Sequence, residues 1–237
     1  KRDGSGWVLD GAKTVVAHGE AADKFIVSAR TSGDRYDREG MTLFLVDATA
    51  QGVARRGYVS RDDSRAADLS LSNVRVTEAD VLGPVGGGFE IIERVVEAGI
   101  AATAAEAVGA MEAMNEMTLE YSKTRVQFGQ PIGSYQVVQH RLADMFMTQE
   151  QGRSMAMLAT MSLENPDAEE RARNLAMAKV GVGQSARYVS QSAVQMHGGI
   201  GMTEEYAVGH YFRRCMVIER LWGDPAYWLQ KLADQVE

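Results

Sequence analysis

Gly83-Pro84-Val85-Gly86-Gly87-Gly88-Phe89-Glu90-Ile91-Ile92 marks the place where the chain changes its period. Downstream, Phe89, Ile92, Val96, Ile100, Thr103, Ala107, Ala110, Met114, Met117 and Tyr121 recur at spacings of three and four. That is the repeat of one buried helix face, and its length predicts about nine turns. Residues 129–133, with Pro131 among them, break the pattern. Ser134 is placed to cap a second helix that reaches about Leu163, with Tyr135, Val138, Leu142 and Met145 on one face. Asn165-Pro166-Asp167 turns the chain into a third helix, which carries Ala172, Leu175, Val182, Ala186, Val189, Ala193 and Met196 inward. Gly198-Gly199-Ile200-Gly201 ends it. A fourth helical stretch starts near Thr203, and Asp224-Pro225 has the cap and first-turn chemistry to start a last one. Long helices joined by short loops make an up-and-down bundle.

Upstream of Gly83 the pattern is one of short strands. Trp7-Val8-Leu9 leads through Asp10-Gly11, a hairpin-turn signal, to a strand over 13–17. Lys24–Arg30 and the stretches 41–46, 52–59 and 68–76 are further strands, with a polar loop over 31–40. Strands followed by helices, without alternation, point to an α+β protein. Residues 1–83 then form an antiparallel β region, sheet or barrel, and 84–237 the helical bundle. The triple glycine 86–88 lacks the Lys and Ser/Thr of a phosphate-binding loop and reads as a hinge.

Composition narrows the function classes. The chain has 237 residues, 45% of them hydrophobic, and a net charge of −7. No Lys/Arg run suggests a nucleic-acid footprint. A single cysteine, Cys215, allows no disulfide within the chain and fits a reducing, cytoplasmic setting. No uninterrupted apolar stretch of about 18 residues predicts a membrane span, and residues 1–6 lack the apolar core of a secretory signal. There is no dinucleotide-binding glycine fingerprint and no His-Glu-x-x-His, and the four histidines are scattered, so no metal site is expected.

Two loops carry the chemistry. The first is Arg125-Val126-Gln127-Phe128-Gly129-Gln130-Pro131-Ile132, followed by Gln136. A guanidinium at a helix end can fork onto a pyrophosphate while the neighbouring aromatic packs on a nucleotide. Equally, Arg125 could cap its helix and Phe128 could enter the core. The second is Gln195-Met196-His197-Gly198-Gly199-Ile200-Gly201. Its glycines let backbone N–H groups approach a ligand, or merely make a tight interhelical turn.

Taken together, in this order, the loops resemble the Arg-x-x-Phe-Gly and Gln-x-x-Gly-Gly-x-Gly patterns of the acyl-CoA dehydrogenase family. The β half is also similar to that family's middle domain, through Gly11-x-Lys13 and Ala29-Arg30. Stretches 12–19, 127–139 and 209–224 more narrowly resemble the small subunit of pimeloyl-CoA dehydrogenase-like heteromeric enzymes. The resemblance implies FAD, an acyl-CoA substrate, an electron-accepting flavoprotein, and a homo- or hetero-tetramer. It implies a helical domain and the start of the β domain ahead of this chain. It further implies that Arg125, Phe128, Gln136, Gln195, Gly198 and Gly199 reach a neighbour's FAD.

The same resemblance exposes departures. Most relatives carry a glutamate, in Tyr-Glu-Gly-Thr, that removes the α-proton of the thioester. The matching run here is Leu221-Trp222-Gly223-Asp224, so Trp222 stands in the place of the base. Indole cannot accept that proton. Relatives that move the base to the first long helix would place it at Gly99, beside an arginine that is Ile100 here. The Trp-Ile-Thr run that backs the flavin matches Val15-Val16-Ala17. The leading expectation is a heteromer subunit that works in trans with a partner bearing the glutamate. The alternatives are an active homomer with a base relocated to Glu97, Glu106 or Glu219, a flavin monooxygenase of the same fold, and a flavin-free scaffold. A simpler view of Trp222 is a core aromatic, and of the three glutamates, helix-surface or interhelical carboxylates.

Overall fold

The structure, a computed structural model, describes residues 1–234. It divides into two compact units, Lys1–Val95 and the remainder from Val96. The class is α+β.

The first unit holds strands β1 (Arg2–Asp3), β2 (Gly6–Ala17), β3 (Lys24–Arg30), β4 (Met41–Asp47), β5 (Val53–Val59), β6 (Arg65–Val76) and β7 (Val81–Leu82). They make two antiparallel sheets, ordered β1-β2-β6-β5 and β3-β4-β7. The alternation of each strand sends one face inward: Phe25 and Val27 are buried while Ile26 between them is exposed. Trp7, Leu9, Leu69, Leu71, Val74 and Val76 of one sheet share a core with Phe25, Val27, Phe44 and Val46 of the other. The sheets therefore pack face to face.

Asp10-Gly11 makes no hairpin. β2 runs through it as one strand of 12 residues, paired with β6 across two register shifts. Asn73, with φ 54°, is the extra residue of the first bulge, and the Asp10 carboxylate accepts its N–H at 2.8 Å. Val15, with φ 55°, is the extra residue of the second, and its N–H reaches Asp68 Oδ1 at 3.4 Å. A bulge frees one backbone donor from the ladder, and here a cross-strand carboxylate accepts each. The partner that decides Asp10's role is thus far away in sequence.

The helices are α1 (Gly88–Thr124, which begins within the first unit), α2 (Gln136–Ser162), α3 (Ala168–His197), α4 (Ala207–Ile218) and α5 (Pro225–Ala233). Met111 and Met114 of α1, Met145 of α2, Val182 and Val189 of α3, and Val208 and Ile218 of α4 form one core. Ile100, Leu175, Val180 and Trp228 form another with Ala101, Ala159, Ala176 and Ala178. Small residues let the helices close up. A Cβ on Gly152 of α2 would lie 2.7 Å from Met111 Cε, a clash. Asp167 caps α3 through the N–H groups of Glu169 and Glu170, and Asp224 caps α5 through Tyr227, with Pro225 in its first turn.

Ser134 does not cap α2. Residues 126–131 fold back as a hairpin of β8 (Val126–Gln127) and β9 (Gln130–Pro131). A 3₁₀ turn, Ile132–Ser134, follows, and the Ser134 hydroxyl donates to Pro131 O at 2.7 Å. Tyr135 occupies the cap position without a side-chain bond to the helix, its hydroxyl donating instead to Gln127 O at 3.2 Å. Among the described residues no helix is long and apolar enough to cross a membrane.

Candidate functional site

The Arg125 loop is a hairpin with a two-residue turn, Phe128-Gly129. Both turn residues have positive φ, 54° and 85°. That is the primed turn that suits the strand twist, with glycine in the second place and a phenylalanine, an uncommon choice, in the first. The strained conformation stands the ring out at the tip, 93% exposed, so Phe128 is no core residue. Arg125 follows the end of α1, its N–H donating to Tyr121 O at 2.8 Å. Its exposed guanidinium makes no hydrogen bond or ion pair among the described residues.

The glycine loop lies at the same end of the bundle. Gly198, with φ 63° and ψ −141°, closes α3, and its N–H donates to Val194 O and Gln195 O. Gly198 and Gly199 are exposed, and a Cβ on either would meet nothing within 4 Å. Gln195 is exposed beside them. The link between the loops is aromatic. Tyr121, near the end of α1, stacks on His197, the last residue of α3, with ring centroids 4.5 Å apart. Gln136, the first residue of α2, lines an open groove with His140, Arg141, Asp144 and, from α3, Tyr188. Gln195 lies two turns beyond Tyr188, on the same side of that helix. All six residues singled out by the sequence are therefore exposed, and the two loops share one end of the bundle.

The other element of interest is the segment between α4 and α5. Trp222 has φ 63° and Gly223 φ 100°. The indole lies against Gly99 of α1: a Cβ there would sit 2.5 Å from Trp222 Cζ2, and Cε2 is as close. The two positions that the sequence resemblance singled out for a base thus face each other, and the absence of a side chain at Gly99 makes room for the ring of Trp222. Trp222 remains 37% exposed, so it covers Gly99 rather than entering the core. The core aromatic is Trp228, whose Nε1 donates to Trp222 O at 2.9 Å. Ile100 is buried.

The glutamates considered as relocated bases are all held by arginines. Both Glu97 oxygens accept from Arg171 Nε, at 3.1 and 2.9 Å, in a pair largely shielded from water. Glu106 takes a two-pronged contact from Arg214, at 2.6 and 2.8 Å. Glu219 is buried and paired with Arg187. Each of these carboxylates is thus engaged in an ion pair that ties α1 or the end of α4 to another helix.

Sequence reasoning missed Lys179. It is buried, and its Nζ donates to Ile218 O at 2.8 Å and Glu219 O at 3.0 Å. Burial pushes this amine down to about 8, with Glu219 and Asp224 pulling the other way. It fastens the last carbonyls of α4 just ahead of Trp222. A lysine within an inward-facing helical stripe was the available signal.

The chain's sequence matches the acyl-CoA dehydrogenase middle domain over residues 1–74 and the acyl-CoA dehydrogenase C-terminal domain over residues 86–236. The chain belongs to the acyl-CoA dehydrogenase family. It is 32% identical over 225 residues to the short-chain specific acyl-CoA dehydrogenase of Megasphaera elsdenii, which covers 92% of this chain and 57% of that protein. Its fold is similar to the butyryl-CoA dehydrogenase structure from the same organism, with a TM-score of 0.89, 30% identity, and coverage of 100% of this chain and 62% of the other. It is also similar to the ChsE4–ChsE5 complex of Mycobacterium tuberculosis, with a TM-score of 0.85 and 26% identity over 99% of this chain and 61% of the other. The chain spans about three-fifths of the length of these dehydrogenases.

Proposed function

We propose that this chain is part of a subunit of an FAD-dependent acyl-CoA dehydrogenase that helps to hold the flavin of a partner chain while its own base position is vacant. The observation that carries the reading is the fit of the Trp222 indole against Gly99. On this reading it occupies both positions that the family resemblance assigns to a proton-abstracting glutamate. The ion pairs of Glu97, Glu106 and Glu219 speak against a relocated base.

The second half of the reading rests on what is exposed. A free guanidinium, an aromatic ring on a strained turn, an unengaged amide side chain and open glycine backbone stand together at one end of the bundle. That donor set suits a flat, phosphorylated cofactor. Arg125 would fork onto a phosphate oxyanion, Phe128 would cover a ring face, and Gln136 and Gln195 would offer both donors and acceptors. Gly198 and Gly199 would let the backbone come close. Hydride acceptance is the chemistry that a bound flavin supplies. The acyl-CoA α-proton would go to a glutamate of the partner, and electrons would leave to an acceptor flavoprotein. The similarity to a complex of two differently named chains accords with a heteromer.

The test is to purify the full-length protein alone and with its candidate partner. The expected result is no acyl-CoA-dependent reduction of an acceptor by the lone protein, and activity in the complex with fewer working flavins than chains. Brisk turnover by the lone protein would defeat the proposal.

A further inference from the structure

Tyr121, His197 and Tyr206 form an aromatic cluster, the histidine buried and the tyrosines half-buried, for which the proposed cofactor contacts do not account. His197 is buried, although Gly198 and Gly199 beside it are exposed. Tyr121 covers one side of its ring, with planes 29° apart. Tyr206, ahead of α4, approaches it with centroids 4.9 Å apart. The Tyr121 hydroxyl also donates to His197 O at 3.4 Å. His197 Nδ1 lies 2.8 Å from Ala193 O. A carbonyl only accepts, so Nδ1 bears a proton. Nε2 is buried and, among the described residues, makes no hydrogen bond of normal geometry.

Each end of the stack is one link from a loop. Tyr121 O accepts the N–H of Arg125, and His197 is bonded to Gly198. The imidazole thus lies between the residues that lead into the two loops. We propose that His197 is a positioning residue: held by Tyr121 and Tyr206, it keeps the Arg125 hairpin and the Gly198–Gly199 turn in register, so that both serve one pyrophosphate-bearing ligand. The inference rests on the cofactor reading above and adds a residue that touches no ligand.

The experiment measures FAD dissociation constants for the full-length assembled protein, alongside the thermal midpoint of each flavin-free form. The variants are Arg125→Ala, His197→Ala, His197→Phe, Tyr121→Leu and the pair Arg125→Ala/His197→Ala. His197→Ala should weaken FAD about tenfold, and the pair should lose less than the product of the single losses, as coupled residues do. His197→Phe keeps an aromatic ring in the stack and should restore most of the affinity. Tyr121→Leu loosens the stack from the other side and gives the same reading if His197→Ala fails to fold. A merely structural role would lower the flavin-free midpoint and leave the affinity of the folded protein unchanged. If Arg125→Ala weakens FAD while folded His197→Ala and Tyr121→Leu proteins bind it normally, the stack has no positioning role and the cofactor reading stands. If Arg125→Ala also binds FAD normally, the cofactor reading falls and the inference falls with it.

Discussion

Replacing Gly99 by alanine tests the fit that the functional reading depends on. The new Cβ would lie 2.5 Å from Trp222 Cζ2, far inside contact distance. Overpacking of this kind typically costs about 1–3 kcal/mol. Against it, alanine in a helix interior gains about 1 kcal/mol over glycine. The indole cannot retreat with its backbone, because Trp222 O is held by Trp228 Nε1 and Gly223 is hemmed in by Tyr227 and Trp228. It can only swing outward through its exposed edge. Gly99→Ala should therefore destabilise by about 0–2 kcal/mol in the native protein, yet stabilise by about 1 kcal/mol where Trp222 is already alanine. The coupling across the double-mutant cycle is then about 1–3 kcal/mol. For a chain of this size, thermal midpoints would show a coupling of roughly 2–12 °C. Emission of the Gly99→Ala protein should also shift to the red, since Trp7 and Trp228 are buried and only Trp222 can gain water. An equal stabilisation by Gly99→Ala in both backgrounds would refute the stacking of indole on helix.

The remaining expectations concern the end of the bundle proposed to hold the cofactor. Arg125→Ala should weaken FAD about ten- to a hundredfold, the loss of a charge-assisted contact of roughly 1.5–3 kcal/mol, as read by flavin titration of the assembled protein. Phe128→Gly relieves a positive φ that phenylalanine adopts poorly, so it should hold or slightly raise stability while weakening flavin binding; a loss of both would mean that the ring supports the fold. Burial lowers the pKa of His197, opposed by the Ala193 and Met117 backbone, and the rings against it are those of Tyr121 and Tyr206. The unfolded chain takes up this proton near about pH 6.5, before the folded one does, so the contribution of His197 is complete above that pH and declines as pH falls below it. Thermal midpoints should thus fall more steeply on acidification in the native protein than in His197→Phe, and parallel curves would contradict this.

The bundle was legible because its determinants are local. The three-four spacing from Phe89 to Tyr121 and the Asp224-Pro225 start each act within a few residues, and both reappear in the structure. Asp10-Gly11 was misread because the Asp10 carboxylate serves Asn73, 63 positions on, and turns a hairpin signal into a bulge. Ser134 looked like a cap, but Phe128 and Gly129 reverse the chain first, and the hydroxyl is spent on Pro131 O. At the site, the residue types were readable and their relations were not. Trp222 and Gly99 stood out separately in the sequence, but their mutual fit follows from packing between α1 and the segment after α4. Tyr121 read as an ordinary inward helix residue, and His197 as one member of the glycine loop, until their stacking joined the two loops.

The most direct test of the central claim is anaerobic flavin bleaching. The full-length protein, purified without any partner and saturated with FAD, would be mixed with a panel of acyl-CoA thioesters and followed by its flavin absorbance. On the proposed reading, Trp222 and Gly99 leave no carboxylate where a base is expected, and general-base help is worth about 10²–10⁴-fold. Absorbance should therefore hold steady in the lone protein and fall promptly once a glutamate-bearing partner chain is added; prompt bleaching of the lone protein would contradict the account.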